Sequence, residues 1–369
     1  MKVLFCALGV YSAIGGIERA NQRLLRSLAE LQCGRNKDIT AIVLWDTEAD
    51  ASQAPSGVHF VPCGRSKLRM VWQFLQSIRR ERPDVILYGL VLLAPLAAAA
   101  RWIAPSAMNG LLAHGIEVWA PPPRWRRLIV ERCVDRVFAV SEFTALRMQR
   151  AYGLPAKRFA ILHNAVDLPC GPTPRDGHVV GMQGTYRLLT VSRLTRMDNY
   201  KGLDKVIEAL PQVLGAFPET HYYIVGEGAW REELERLAAA RGVADRVHFL
   251  GRVSDCTLQE IYASSDIFVM PSRGEGFGIV YLEAMRHKLP IVAGSEDASP
   301  EVVIDGLCGL IVNPSDVPQI GAAIRTLLAD PERRQHMGEA GLQRVAAHFT
   351  HDRFRARLAE LLEQTRAAS

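Results

Sequence analysis

The chain has 369 residues, of which 49% are hydrophobic and 22% charged, a composition typical of a globular protein and not of a disordered one. At roughly 150 residues per domain, this length favours two domains, each large enough to bury a core. The net charge of +5 is mild and dispersed: it suits anionic small molecules or an anionic membrane surface, and without any nucleic-acid motif it argues against nucleic-acid binding.

The cysteines and the apolar segments bear on cellular location. Seven scattered cysteines include no pair at metal-ligand or redox spacing, which predicts reduced thiols in a cytoplasmic protein. The apolar segment at residues 2–8 is too short for a signal peptide, so we interpret it as a buried first strand. The apolar run 85–100 is shorter than the roughly 20 residues of a membrane span and is interrupted by Gly89 and Pro95, so we predict a strand followed by a helix.

Short apolar runs alternate with amphipathic stretches along the first half of the chain. The predicted strands are residues 2–8, 39–44, 85–88, 110–113, 137–140 and 159–162, with helices at 17–31 and 66–82. Within 66–82, Leu68, Val71, Leu75 and Ile78 recur at helical spacing and predict the apolar side of a helix. This alternation indicates an α/β fold with a parallel sheet covered on both faces.

A segment rich in Pro and Gly, residues 169–184, separates this half from a second one with the same alternation. There the predicted strands are 186–191, 222–225, 246–250, 267–270, 290–293 and 310–312, and the predicted helices are 203–217, 229–241, 257–264, 278–287, 317–328, 331–348 and 351–366. We therefore predict an N-terminal domain at 1–170, a linker at 171–185, a C-terminal domain at 186–349, and a last helix at 350–369 that packs back on the N-terminal domain. Both domains are predicted to be doubly wound, so their ligands should lie beyond the carboxyl ends of the strands.

The most informative motif runs from Glu275 through Gly276-Phe277-Gly278 to Glu283, between a predicted buried strand and a helix. Glycines allow close backbone approach, and the N–H groups and dipole at a helix start favour an anion. Carboxylates accept hydrogen bonds from pairs of hydroxyls, which a nucleotide sugar offers on its sugar and its ribose. The alternative interpretation is a capped helix with two exposed acids.

Cations and glycines follow other predicted strands. Arg193 follows the strand at 186–191 and Lys201 precedes a helix, an arrangement that favours a diphosphate clamp over two solvated charges. Gly15-Gly16 follows the first strand, where backbone N–H groups are placed to meet a diphosphate, although a simple turn is an equal alternative. His114 ends a strand of the first half, where it is placed to bond a sugar hydroxyl or to serve only the structure.

With these motifs in order along nearly the whole chain, the sequence resembles the retaining glycosyltransferases of family GT4, which have the GT-B fold. The matching motifs are Gly15-Gly16, His114-Gly115, residues 141–144, residues 163–167, Arg193 with Lys201-Gly202, residues 224–228, and Glu275-Gly276-Phe277-Gly278 with Glu283-Ala284. The resemblance implies two Rossmann-like domains facing each other across a cleft, with an acceptor side in the N-terminal half and a nucleotide-sugar side in the C-terminal half.

The resemblance also implies a role for each matching position. Arg193 and Lys201 would bind the donor diphosphate, Glu275 the donor-sugar hydroxyls, and Glu283 the ribose. Backbone N–H groups near Phe277, Gly278 and Ile279 would assist, Arg252 and Val253 would lie beside the base, His114 would contact the donor sugar, and Gly16 would close over the phosphates. It implies no metal and no cofactor, because the cations and a helix dipole stabilise the leaving group, and a front-face displacement that retains configuration. The loop between Arg193 and Lys201 is longer than is common in the family, so Arg196 is a competing phosphate ligand.

The expected reaction moves a hexose from a GDP- or UDP-sugar, GDP-mannose among them, to a lipid-linked or glycan acceptor in bacterial polysaccharide or glycolipid synthesis. A sugar-nucleotide epimerase or hydrolase of the same fold, or a non-catalytic nucleotide-sugar-binding module, are the alternatives. Basic residues concentrate in two N-terminal segments, 65–82 and 124–127. They represent either solvated helix surfaces or a face that docks on the cytoplasmic side of an anionic membrane.

Overall fold

The computed structural model describes residues 1–13, 15–31, 39–168 and 182–367. It divides into two compact units, Met1–Ala165 with His351–Ser369, and Val166–Thr350. Most of the segment expected to be a linker, residues 171–181, lies outside the described residues, as do Cys33 and Cys170.

The first unit is built on a parallel sheet of seven strands. Its strands are β1 (Val3–Ala7), β2 (Ile39–Val43), β3 (Val58–Pro62), β4 (Val85–Tyr88), β5 (Met108–Ala113), β6 (Arg136–Ala139) and β7 (Phe159–Ile161). Its helices before residue 165 are α1 (Gly16–Leu31), α2 (Lys67–Glu81), α3 (Ala94–Ile103), α4 (Arg124–Cys133) and α5 (Glu142–Tyr152). The strand order β3-β2-β1-β4-β5-β6-β7 reverses its direction between β1 and β4, which marks this edge as the ligand-binding position of a doubly wound sheet.

Strand β1 shows why the sheet needs helices on both faces. All five of its residues are buried, and successive side chains point to opposite faces. Leu4 joins the core that contains Phe74 of α2, whereas Phe5 joins the core that contains Leu24 of α1. A strand buried on both faces reads as a continuous apolar run, which is why the sequence pattern identified it.

The apolar stripe that the sequence indicated in α2 is only partly buried. Met70, Phe74 and Ile78 pack into the core, whereas Leu68 is 85% exposed and Val71 43% exposed. Both sets recur at helical spacing, so periodicity alone does not choose between them. The core selects the set that contains the large Phe74 ring, and the other apolar side chains remain on the surface.

Strand β3 and helices α4 and α5 were not predicted. Among the described strands, β3 pairs only with β2, is partly exposed along its first three residues, and ends in Pro62, so its apolar pattern is weak. Helix α5 begins where the Ser141 side chain accepts a hydrogen bond from the Thr144 N–H at 3.1 Å.

The second unit has a parallel sheet of six strands. They are β8 (Tyr186–Val191), β9 (Thr220–Val225), β10 (Val247–Gly251), β11 (Ile267–Met270), β12 (Ile291–Gly294) and β13 (Gly309–Val312). The helices are α6 (Leu203–Leu214), α7 (Arg231–Ala240), α8 (Asp255–Ala263), α9 (Ile279–Arg286), α10 (Ser299–Val302), α11 (Val317–Ala329) and α12 (Pro331–His348). The order β10-β9-β8-β11-β12-β13 reverses between β8 and β11.

The last helix, α13 (His351–Ala367), belongs to the first unit and packs against α1. Glu30 of α1 accepts hydrogen bonds from His351 Nε2 at 2.8 Å and from Arg355 Nη1 at 2.7 Å. Burial raises the pKa of Glu30, but hydrogen bonds from His351, Arg355 and Arg26 outweigh that effect and lower it to about 2. This cluster therefore ties the end of the chain to the first unit.

Among the described residues, no helix is long and apolar enough to cross a membrane.

Candidate functional site

At the carboxyl end of β8, a buried carboxylate orients Arg193. Arg193 Nη2 lies 3.1 Å from Oδ1 of Asp198; the Asp198 side chain is 3% exposed and that of Arg193 is 64% exposed. Thr195 Oγ1 donates a hydrogen bond to the other carboxylate oxygen of Asp198 at 2.5 Å. The guanidinium is thus held in place and still reaches solvent. No sequence pattern singled out Asp198.

The loop that looked long in the sequence is a 3₁₀ turn, Arg196–Lys201. Arg196, the competing phosphate ligand of the sequence analysis, begins this turn and is exposed. Lys201 ends it and is mostly buried, with its side chain 12% exposed. The turn therefore carries one cation outward and the other into the protein.

Lys201 meets Glu275 in the interior of this unit. Lys201 Nζ lies 3.6 Å from Oε1 of Glu275, whose side chain is 14% exposed. Oε1 of Glu275 is buried and accepts no hydrogen bond from the residues that the structure describes. Buried polar atoms are normally hydrogen-bonded, so an oxygen left in this state is available to a bound ligand.

The sheet brings these residues together. Strands β8 and β11 are neighbours at the point where the strand order reverses. The loops that follow them are joined by a hydrogen bond from the Arg273 N–H to the Tyr200 carbonyl at 2.9 Å. Arg193 and Lys201 follow β8, Glu275 follows β11, and so cations and a carboxylate share the position where doubly wound sheets bind ligands.

Helix α9 begins directly after this loop. Gly278 has φ +87° and forms its N-cap, and a Cβ at this position would lie 2.3 Å from Cδ2 of Tyr281. Phe277 is 2% exposed and packs edge-on against Phe349, with the ring centroids 5.6 Å apart. The buried ring and the glycine define the turn that leads into Ile279, so that the backbone N–H groups of the first helical turn follow Glu275 closely.

A second buried carboxylate, Asp297, holds the backbone of Glu275. Its Oδ2 accepts the Glu275 N–H at 2.7 Å and its Oδ1 accepts the Ser299 N–H at 2.9 Å. Burial raises the pKa of Asp297 to about 6, although these hydrogen bonds oppose the shift. No local sequence pattern identifies Asp297, because its partner Glu275 is 22 positions away, on the loop of a neighbouring strand.

Glu283 lies inside α9 and is 4% exposed. Its Oε2 accepts a hydrogen bond from the Tyr262 hydroxyl at 3.1 Å. The Tyr262 ring stacks on His287, with an interplanar angle of 6°. Burial, and then the nearby Arg286 cation, lower the pKa of His287 to about 4. The expected contact of Glu283 with a ribose stays a prediction.

Arg252 and Val253 follow the carboxyl end of β10, at the same edge of the sheet as Arg193. Arg252 is exposed and Val253 is half-buried. The Gly226 N–H donates to the Gly251 carbonyl at 2.8 Å, which joins the ends of β9 and β10. Their placement beside a nucleotide base stays a prediction.

In the first unit, His114 follows β5. Its Nε2 lies 2.9 Å from the carbonyl oxygen of Gly89, which follows β4. A carbonyl only accepts, so Nε2 carries the hydrogen and the Nδ1 of the neutral ring is an acceptor. The His114 N–H donates to Oε1 of Glu117 at 2.6 Å. These bonds fix the ring at the carboxyl edge of this sheet with one nitrogen able to accept from a hydroxyl.

Gly15 and Gly16 lie at the same edge of the first unit. Gly16 is the first residue of α1, and the Gly15 carbonyl accepts the Arg19 N–H at 3.0 Å. A Cβ at Gly16 would meet nothing within 4 Å. The preceding loop is anchored by Asp46, which is fully buried and accepts the Tyr11 N–H at 2.8 Å. The interpretation of Gly16 as a phosphate-binding position stays a prediction.

The part of the chain that the structure describes contains no group of three or more His, Cys, Asp or Glu residues placed to hold a metal ion.

At the switch point of the second unit's sheet, two strand-loop-helix segments bring together cations, carboxylates and the start of a helix. This is the arrangement of an enzyme that binds a nucleotide-linked substrate. Comparison with known proteins defines the class. The model of the family described as "Glycosyl transferases group 1" matches residues 183–344, and that of "Glycosyltransferase Family 4" matches residues 14–169.

Individual proteins that are similar in sequence indicate the same class of enzyme. A GDP-mannose-dependent alpha-(1-6)-phosphatidylinositol monomannoside mannosyltransferase of Mycolicibacterium smegmatis is 37% identical over 294 residues, covering 76% of this chain and 75% of the relative. A GDP-mannose-dependent monoacylated alpha-(1-6)-phosphatidylinositol monomannoside mannosyltransferase of Corynebacterium glutamicum is 33% identical over 304 residues, covering 78% of each chain. The chain belongs to the family 4 glycosyltransferases, which confirms the predicted family and the predicted hexosyltransferase class.

Solved structures confirm the GT-B fold class. Anabaena HepE in complex with UDP and glucose superposes with a TM-score of 0.81 at 20% identity, covering 99% of this chain and 100% of that one. Sucrose-phosphate synthase from Thermosynechococcus elongatus superposes with a TM-score of 0.82 at 20% identity, covering all of both chains.

Proposed function

We propose that this glycosyltransferase moves a mannosyl group from GDP-mannose to a phosphatidylinositol mannoside or a closely related lipid-linked acceptor, with retention of configuration. The observation that carries the proposal is the similarity of 33–37% over about three quarters of the chain to relatives named for GDP-mannose and for such an acceptor. The exposed Arg193 cation, and the Glu275 carboxylate oxygen that lies near Lys201 but accepts no hydrogen bond from the described residues, supply complementary chemistry at the switch point.

In this proposal the second unit binds the donor. Lys201 and Arg193 bind the diphosphate, and the start of α9 at Phe277, Gly278 and Ile279 adds backbone N–H groups. Oε1 of Glu275, which accepts no hydrogen bond from the described residues, accepts one from a sugar hydroxyl. The two cations and the backbone N–H groups stabilise the diphosphate leaving group without a metal or other cofactor.

The remaining contacts are proposed from the family resemblance. Glu283 would bind the ribose, and Arg252 and Val253 would flank the base. In the first unit, Nδ1 of His114 would accept a hydrogen bond from a hydroxyl of the donor sugar, and Gly16 would approach the phosphates through its backbone. Front-face displacement would retain configuration, with the leaving phosphate taking the proton of the acceptor hydroxyl.

The test of donor and acceptor is nucleotide release from GDP-mannose, GDP-glucose, UDP-glucose and UDP-galactose, each with and without phosphatidylinositol mannoside. Release that depends on both GDP-mannose and the lipid supports the proposal, and NMR of the product anomeric proton tests retention. Release without acceptor would identify a hydrolase, isomerisation of the donor an epimerase, and binding without turnover a non-catalytic module. Preference for a UDP-sugar would contradict the proposed donor.

The roles of the cations and acids are separable by mutation. Arg193→Ala should weaken nucleotide affinity about 10- to 100-fold, because a charged hydrogen bond contributes about 1.5–3 kcal/mol, whereas Arg196→Ala is the matched control. Equal losses for both variants would show that the clamp is shared with Arg196.

Glu275→Ala should lower turnover about 10²-fold or more and leave GDP affinity nearly unchanged. Glu283→Ala should chiefly weaken GDP binding, and melting curves must accompany it because Glu283 is buried and bonded to Tyr262.

We further propose that the first unit docks on an anionic membrane at the cytoplasmic face. Leu68, Val71 and Trp72 of α2 are 85%, 43% and 58% exposed, and Trp125 and Leu128 of α4 are 51% and 45% exposed. Helices that cross over between parallel strands run antiparallel to them, so the starts of α2 and α4 lie at the same carboxyl edge of the sheet. Basic residues lie close in sequence to both groups, namely Arg65, Lys67, Arg69, Arg124, Arg126 and Arg127.

A surface that combines exposed aromatic and aliphatic side chains with nearby cations is of the kind that binds an anionic bilayer. Flotation with phosphatidylglycerol vesicles and with phosphatidylcholine vesicles tests the docking. The double variant Leu68→Ser with Trp72→Ser should lose binding to the anionic vesicles, whereas Leu307→Ser, at a 52% exposed leucine of the second unit, should not. Equal flotation with both lipids, or an unchanged double variant, would contradict the docking face.

A further inference from the structure

Asp297 lies between β12 and α10 and holds both backbone polar groups of Glu275 through its own segment. Its Oδ2 accepts the Glu275 N–H at 2.7 Å, and the N–H of its neighbour Ala298 donates to the Glu275 carbonyl at 3.1 Å. Its Oδ1 accepts a hydrogen bond from the Ser299 N–H at 2.9 Å. Both carboxylate oxygens of Asp297 are therefore engaged in hydrogen bonds within the protein.

The side chain of Glu275 is in the opposite state. It lies 3.6 Å from Lys201 Nζ, and its Oε1 is buried without a hydrogen bond from the described residues. A fixed backbone combined with a buried carboxylate oxygen that is ion-paired with Lys201 but accepts no hydrogen bond from the described residues is the arrangement expected of a preorganised ligand contact. The fixing group is Asp297, because one loop supplies the acceptor for the N–H and the donor for the carbonyl.

We infer that Asp297 is a positioning residue for sugar transfer: it anchors the backbone of Glu275 so that the carboxylate of Glu275 meets the donor sugar in one fixed geometry. The inference rests on the proposed role of Glu275. A displacement of about 1 Å in a positioning group lowers rates by about 10²-fold, so the anchor has a measurable consequence.

Burial of the ionised Asp297 carboxylate costs stability. This cost distinguishes the Asp297 contact from an ordinary structural hydrogen bond. Asp297 is 3% exposed, and burial raises its pKa to about 6, with Glu275 as a repelling neighbour. Other ionisable groups around the site include Lys201 beside Glu275, the phenols of Tyr200 and Tyr281, and the Arg193–Asp198 pair near Tyr200. Because the pKa of Asp297 in the folded protein lies above its ordinary value of 3.8, protonation of Asp297 stabilises the fold as the pH falls through about 6. Protonation also weakens the anchor, so activity should fall over the range in which this contribution to stability rises.

The test compares Asp297→Asn with the wild type and with Asp316→Asn. Asp316 is a matched control: its carboxylate accepts the Gln319 N–H at 2.9 Å at the start of α11, outside the site. Calorimetric affinities for GDP and GDP-mannose, steady-state rates from pH 5 to 9, and melting temperatures over the same range are measured for all three proteins.

Asn keeps one acceptor and turns an amide toward the other N–H, so the anchor is half lost. We expect GDP affinity within about twofold of the wild type, at least a tenfold smaller preference for GDP-mannose over GDP, and kcat about 10²-fold lower at pH 8. The wild type should lose activity below about pH 6, and its melting temperature should rise relative to Asp297→Asn between pH 8 and pH 5. Asp316→Asn should keep the wild-type affinity ratio and rate profile.

A variant with the wild-type affinity ratio and kcat would overturn the inference, as would equal losses of affinity for GDP and GDP-mannose, which indicate a merely structural role. Failure of the proposed function is recognised separately, by the wild type turning over no sugar nucleotide with the lipid acceptor. In that case the ratio of affinities for the nucleotide and for its best-bound sugar conjugate still decides the role of Asp297. Absence of any sugar-nucleotide binding by the wild type would overturn both.

Discussion

Gly278, at the start of α9, allows the local geometry to be tested by stability alone. It has φ +87°, and a Cβ there would lie 2.3 Å from Cδ2 and 2.5 Å from Cε2 of Tyr281. Gly242 is a matched control, since it has φ +69° and a Cβ would meet nothing within 4 Å. Alanine at Gly242 should therefore report the cost of the backbone conformation, whereas alanine at Gly278 should add the cost of moving Tyr281.

The two costs have different magnitudes. The left-handed backbone costs an L-residue about 1–2 kcal/mol, reduced by about 0.4–1 kcal/mol because alanine restricts the unfolded chain, so Gly242→Ala should lose about 1 kcal/mol. The Tyr281 side chain is fully buried, and its hydroxyl donates to the Met270 carbonyl at 2.8 Å. Displacing the ring adds overpacking of about 1–3 kcal/mol and puts that hydrogen bond at risk, so Gly278→Ala should lose about 3–5 kcal/mol.

Urea unfolding followed by the fluorescence of Trp230, which is buried in the second unit, measures both variants on the same transition. Gly278→Ala should unfold at a clearly lower urea concentration than Gly242→Ala, with similar dependence on urea for both. Equal destabilisation of the two variants would refute the close contact with Tyr281 as the reason for a glycine here.

Two further predictions concern pH. Glu30→Gln should destabilise the first unit by about 2 kcal/mol at pH 7, allowing for the partial exposure of Glu30, because the lowered pKa of Glu30 reflects its bonds with His351 and Arg355. That contribution is present above pH 4.5 and disappears as the pH falls toward about 2, so urea midpoints of wild type and variant should converge between pH 7 and pH 3, and a constant gap would contradict the assignment. His287→Phe keeps a ring against Tyr262 and removes a group whose pKa in the folded protein, about 4, is below its ordinary value of 6.5. The wild type should therefore lose up to about 3 kcal/mol relative to this variant as the pH falls from 6.5 to 4, and parallel melting curves across that range would show that His287 does not titrate as described.

Local patterns account for most of what the sequence predicted correctly. Strands buried on both faces read as continuous apolar runs, and glycine, serine and charged residues mark where each strand gives way to a helix. The segment from Glu275 to Glu283 was identifiable because strand, loop and helix start are consecutive in the chain. The same local signals brought Arg193 and Lys201 to notice, and the family and fold class followed from the order of these motifs.

Periodicity was insufficient where two solutions share one spacing. Helix α2 carries two apolar stripes, and only packing against the first sheet determines that Phe74 is buried and Leu68 exposed. That choice changes the functional interpretation, because the side chains left on the surface are those proposed to contact a membrane.

Glu275 and its surroundings show the division most clearly. The sequence by itself determined that a carboxylate follows a buried strand and precedes a helix start. Only the tertiary structure determined that Lys201 lies 3.6 Å from it and that Asp297, on another loop, holds its backbone. The physical reason is that parallel strands remote in sequence end at one edge of a sheet, where burial and hydrogen bonding between their loops depend on spatial neighbours that no local pattern records.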